Sequence, residues 1–282
     1  MSVTLNSLGK QIVLYTGIPV FIAGILGGVL NIITFVSLRT FRESSCAFYL
    51  TVMSLFNIIQ LCTGLLTRIL TSLSNGDGTE ISLFYCKFRP WAFQVAIGGS
   101  LTCLCLATID QYCATCSHIR WQQFCRIKIA YRLVVGTTII WMLHGIVYLV
   151  YFVHAKSTST NQTSYTIVDY NFTQYRIYVI VLTLLGILPV SIAVCFGLLA
   201  FRNIQQLTHR TRPIVRLELD KQLTVMVLAQ VTMNVSTYFP YNTINSFATM
   251  TFIGSYPTIQ RVLQFISTVA FVVYYIYFAV ST

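Results

Sequence analysis

The sequence predicts an all-α membrane protein, a seven-transmembrane helix bundle with its N-terminus outside and its C-terminus cytoplasmic. Three observations predict it: seven long apolar stretches, an almost charge-free composition, and an uneven placement of the basic residues. Of the 282 residues, 56% are hydrophobic and only 9% charged; the mean hydropathy is +0.73. A bilayer core about 30 Å thick needs roughly 20 apolar residues of helix. No water is available there to satisfy the backbone, and a helix satisfies its own.

The first segment, residues 13–38, is uncharged. It is longer than the ~7–15 residue core of a signal peptide, holds Asn31 in its interior and lacks a small-residue cleavage pattern, so it is expected to be the first helix. Segments 46–66 and 91–109 are also uncharged, and 133–153 carries only His144. Segment 177–201 contains Pro189. The sixth lies inside the uncharged run 222–260, which is too long for one span and contains Pro240. Residues 262–282 form the seventh. The seven segments use nearly the whole chain, which implies a single domain over residues 1–282.

The net charge of +11 is a topology signal, not a nucleic-acid signature. With the N-terminus outside, the inner loops hold Arg39, Arg42, Arg120, Arg126, Lys128, Arg132, Arg202, Arg210, Arg212, Arg216 and Lys221. The outer ones hold Lys10, Arg68, Lys87, Arg89, Lys156, Arg176 and Arg261. Positive residues favour the cytoplasmic side, where they also meet anionic membrane lipid. Two glycosylation sequons, at Asn161 and Asn171, fall in the loop this orientation puts outside. A third, at Asn234, falls within the sixth segment and is expected to be a chance match.

The nine cysteines do not form a disulfide framework. Four lie within helices, where cysteine behaves as a small apolar residue. Cys46, Cys113, Cys116 and Cys125 fall on the reducing side, and Cys86 alone faces outside. The Cys113-x-x-Cys116-x-His118 cluster lacks a second pair of metal ligands, so no metal or other cofactor is expected. Palmitoylation suits Cys113, Cys116 or Cys125 better.

Polar side chains in hydrocarbon mark a bundle interior or a cavity. Asn31, Asn57, Gln60, Ser100, His144, Asn234 and Thr237 are such residues. Together they predict an interior polar network, with Asn31, Asn57 and Ser100 as its centre. Asp110 ends the third segment, where an acid can reach the interface and meet Arg120 or Arg126. Pro189 and Pro240 should kink their helices, and the aromatic surroundings Tyr238-Phe239-Pro240-Tyr241 suit a hinge.

These residues, in this order, resemble the rhodopsin-like G-protein-coupled receptor family. Gly28-Val-Leu-Asn31 is similar to its first-helix Gly-x-x-Asn. Cys86 is followed 24 positions later by Asp110-Gln111-Tyr112, the family's spacing between a third-helix cysteine and its Asp-Arg-Tyr motif. Trp141, Pro189 and Tyr238-Phe239-Pro240 match one feature in each of the next three helices. The departures are specific. Asn57 stands where the family has a sodium-binding Asp. Gln111 replaces the motif's arginine, and Asp220 resembles the sixth-helix acid that this arginine meets. Cys86 has no partner cysteine in residues 154–176. The seventh segment ends in Tyr274-Tyr275-Ile276-Tyr277 without Asn-Pro, and no eighth helix follows, as in a trimmed chain.

The resemblance implies a plasma-membrane receptor with an outward pocket and a heterotrimeric G protein as partner. Asp110, Gln111, Tyr112, Asp220, Tyr238 and Pro240 would serve activation. Phe93 stands where amine receptors carry an acid, which argues against an amine. The seventh segment has no lysine, which excludes a retinal Schiff base. Arg68 and Arg261, with Gln94, Tyr241, Asn242 and Asn245, point to an extracellular ligand that is a peptide or an acidic small molecule. An enzyme would need an acid–base set or metal ligands at one depth, which is not present. A transporter would show internal repeats, and none is seen. The runner-up is a receptor-like protein that binds or heterodimerises without G-protein coupling, because the arginine is missing.

Overall fold

A computed structural model describes residues 2–74, 82–116, 119–156, 163–167, 169–207, 214–249 and 257–280. Among these residues the apolar segments become seven long helices: α1 (Ser2–Ser37), α2 (45–74), α3 (Leu83–Thr115), α4 (Ile127–Tyr151), α5 (170–207), α6 (214–249) and α7 (Pro257–Val280). Their starts follow ordinary capping chemistry. The hydroxyl of Ser44 accepts from the Ala47 amide before α2, and that of Ser82 from the Tyr85 amide before α3. The Asp169 carboxylate accepts from the amides of Asn171 (2.7 Å) and Phe172 (3.2 Å) before α5. Each satisfies an amide that the first turn would leave without a partner. Pro257 opens α7, where a missing N–H costs nothing.

The helices form one bundle with α3 at its centre. It packs against α2, α4, α5 and α6, while α1 lies against α2 and α7, and α6 against α5 and α7. Of the most apolar stretch of α3, 78% is buried inside the protein, against 17% in α1 and in α4. The outer face is apolar instead of polar: Leu30, Ile140, Leu143, Leu198 and Val225 are each more than half exposed. A soluble protein rarely exposes so continuous an apolar surface; a bilayer covers it. Among the described residues, five of the helices are long and apolar enough to cross a membrane, and a shorter apolar run, Ile266–Val280, lies in α7.

Two features go beyond the sequence reading. Between α4 and α5 the chain forms an antiparallel pair, β1 (Phe152–Lys156) with β2 (Thr163–Ile167), in the register Phe152 to Ile167 and Lys156 to Thr163. Three helices also widen into π-helical turns, at Leu61–Leu65 in α2, Arg176–Ile187 in α5 and Asn234–Tyr238 in α6. In α5 and α6 the wide turns end two residues before Pro189 and Pro240. Proline lacks an N–H and crowds the carbonyl four residues back. A wider turn relieves that crowding, so the expected disturbances are spread over the turn before each proline.

Candidate functional site

At the hairpin end of the bundle, α2, α3, α5, α6 and α7 enclose a cavity of about 440 Å³. Six of the seven residues that the sequence nominates for ligand contact line it: Arg68, Phe93, Gln94, Tyr241, Asn242 and Asn245. The side chain of Arg261 lies outside the described residues. The cavity floor is aromatic. Tyr241 and Tyr274 pack with centroids 4.4 Å apart, and Phe271 with Tyr275 at 4.6 Å. Tyr275 comes this close to α2 because of Gly64, where any Cβ would collide with its hydroxyl. Phe152 of β1 closes one side.

Sequence reasoning missed two wall residues, Arg89 and Arg176. The sequence places both among the outer-side charges, whereas the helices carry them into the cavity lining. The Arg89 Nε donates to the Thr63 carbonyl (3.2 Å). The Arg68 guanidinium lies 5.1 Å from the Phe271 ring centroid, in a cation–π arrangement. Gln94 is 97% buried; its carbonyl accepts from the Tyr148 hydroxyl (3.2 Å), while its amide nitrogen has no partner.

The polar network runs below the cavity. The Asn31 amide donates to the Ser54 hydroxyl (2.8 Å), the Ser100 hydroxyl to the Asn57 side-chain carbonyl, and the Gln60 amide to the Tyr274 hydroxyl (2.7 Å). These bonds join α1 to α2, α2 to α3 and α2 to α7. His144 lies apart from them, beside Tyr175 of α5 (3.2 Å). Asn234 is 1% exposed, so the acceptor residue of its sequon is buried in the bundle. In α6, Tyr238 is fully buried among Tyr274, Tyr277 and Phe278, and the Asn242 amide donates to its hydroxyl (3.1 Å). Pro240, two residues after Tyr238, is exposed.

At the opposite end, Asp110 turns inward. It is 8% exposed, and the Ser45 hydroxyl lies 2.8 Å from both of its carboxylate oxygens. Gln111 is buried and accepts from the Thr224 hydroxyl of α6 (2.8 Å). The side chain of Asp220, the partner expected for Gln111, lies outside the described residues; Thr224 stands one turn further along α6. Tyr112 packs edge-on against Phe196 of α5, with centroids 5.5 Å apart. Of the cysteines singled out for acylation, Cys113 is buried. Cys125 shares a hydrogen bond with Cys113, and burial pushes its thiol up. None of the nine cysteines is in a disulfide.

A seven-helix bundle in a membrane, with a cavity at one end and a buried α3–α6 contact at the other, has the form of a transmembrane receptor. The model of the family described as 7 transmembrane receptor (rhodopsin family) matches residues 27–279, and the chain belongs to that family. No curated protein matches it.

Proposed function

We propose that this chain is a plasma-membrane receptor, a single domain over residues 1–282, that passes an extracellular ligand's binding to a heterotrimeric G protein. The ligand, a peptide or an acidic small molecule, enters the cavity at the hairpin end, which is the outer end in this reading. The observation that carries the proposal is the continuity of α6. Tyr241 and Asn242 line the cavity, Asn242 bonds Tyr238, and the same helix reaches Gln111 through Thr224. A ligand that binds one arrangement of α6 better than another shifts its population, with the wide turn at Asn234–Tyr238 as the pivot. The Thr224–Gln111 hydrogen bond holds the resting arrangement in place of the family's ion pair.

Such a bond inside a membrane protein contributes ~0.6 kcal/mol on average, which shifts a two-state equilibrium about threefold. Thr224→Val should therefore raise basal G-protein recruitment in cells about threefold. The assay is run basally and against a pooled peptide library, with Gln111→Arg beside it. Recruitment by the unaltered chain supports coupling through glutamine. Signal from Gln111→Arg alone favours the second reading, a receptor that binds without coupling; that reading is supported by the loss of a cation at this position. Orientation has its own test. Asn171 is exposed at the start of α5, so Asn161→Gln and Asn171→Gln should each increase gel mobility by one glycan. If the unaltered protein has the same mobility with and without glycosidase treatment, the sequons give the outward assignment no support.

A further inference from the structure

We infer that the cavity takes a small organic anion, a carboxylate or phosphate ester with an aromatic or apolar body, whose head is held by Arg176 with Arg68 and Gln94. This rests on the reading of the cavity as a ligand site. Three guanidinium groups, from α2, α3 and α5, line one space, and among the described residues none of its lining side chains is acidic. The lining thus offers Arg68 and Arg176 no carboxylate, and a buried donor without an acceptor is costly. Two donors are already buried without acceptors: the Arg176 Nε and the Gln94 amide. They share a neighbour, because Tyr148 bonds Gln94 and also lies within electrostatic range of Arg176. Arg68 and Arg176 likewise both act on the Tyr241 hydroxyl from opposite helices. A carboxylate or phosphate presents acceptor oxygens that suit an arginine fork. Below it, Phe93, Tyr241 and Tyr274 offer ring surface for an apolar body. The volume suits a small molecule held whole, since such pockets span ~300–1,000 Å³.

The test uses the purified full chain in lipid nanodiscs and its thermal unfolding. The probes are arylalkanoates, 4-phenylbutyrate among them, each paired with its uncharged primary amide. Phenyl phosphate and a short peptide with a free C-terminus complete the set. A ligand that binds the folded state raises Tm. The acids should raise Tm and their amides should not. Arg176→Gln should abolish the shift, Arg176→Lys should retain part of it, and Gln94→Leu should weaken binding about tenfold. Amides as effective as acids would overturn the inference. So would acids that stabilise Arg176→Gln equally, a response to the peptide alone, or no response to any acid. Recruitment by Thr224→Val is read without any anion. A failure of the ligand class is thus distinguishable from a failure of the receptor reading.

Discussion

Gly98→Leu is expected to lower the unfolding temperature of the receptor and to reduce its yield. A Cβ at Gly98 would collide with the ring carbons of Trp141 from α4. Trp141 is not free to retreat, because its indole nitrogen donates to the Thr102 hydroxyl of α3 (2.9 Å). The interface is reciprocal: Trp91 of α3 covers Gly145 of α4 at 2.8 Å from the place of a Cβ, and donates to the Met142 carbonyl (3.2 Å). Two indoles thus lie on two glycines, and neither helix can move away without breaking a hydrogen bond. On the adjacent face, Gly99 gives the same kind of room to Phe56 of α2. Extra methylenes in a packed core cost about 1–3 kcal/mol, and leucine adds four carbons. The control is Gly136→Leu in α4, an exposed site with nothing within 4 Å of a Cβ. Equal unfolding temperatures for the two variants would remove the packing argument.

The seven helices were legible because each is a long apolar run, and nothing local competes with helix formation in a bilayer. The hairpin was not legible, because Phe152–Lys156 and Thr163–Ile167 are short and their pairing is tertiary. The wide turns were half legible: proline marks two of them, but Leu61–Leu65 contains none. Most of the cavity lining could be read because polar residues near the ends of apolar segments have few places to go but inward. Arg89 and Arg176 escaped because an arginine near a helix end snorkels to the headgroups as readily as it turns inside. The available signal was the lack of acids at the same depth. The Trp141–Gly98 fit had no local signal, since its halves lie on different helices. For Gln111, the sequence points to Asp220, whose side chain lies outside the described residues. A hydroxyl one turn beyond Asp220 makes the described contact.

Tyr274→Ala is expected to cost about 3–5 kcal/mol, the range for removing a large ring from a packed core. Tyr274→Phe should cost only ~0.6 kcal/mol, the hydrogen bond alone. Tyr274 is 1% exposed, and its ring lies 4.4 Å from Tyr241, 4.7 Å from Tyr275 and 5.0 Å from Phe278, centroid to centroid. Its hydroxyl accepts from Gln60, whose own carbonyl oxygen has no partner. Both variants leave Gln60 without its bond to Tyr274; alanine removes the ring stack as well, whereas phenylalanine keeps it. This ladder occupies the stretch of α7 where the family's Asn-Pro is absent, and it ties α7 to α2 through Gln60 and to α6 through Tyr238 and Tyr241. The position of α7 then depends on ring packing, with no proline bend in that stretch. Thermal unfolding of the two variants decides the point. A Phe variant as unstable as the Ala variant would show that the Gln60 bond, and not the aromatic ladder, holds α7 in place.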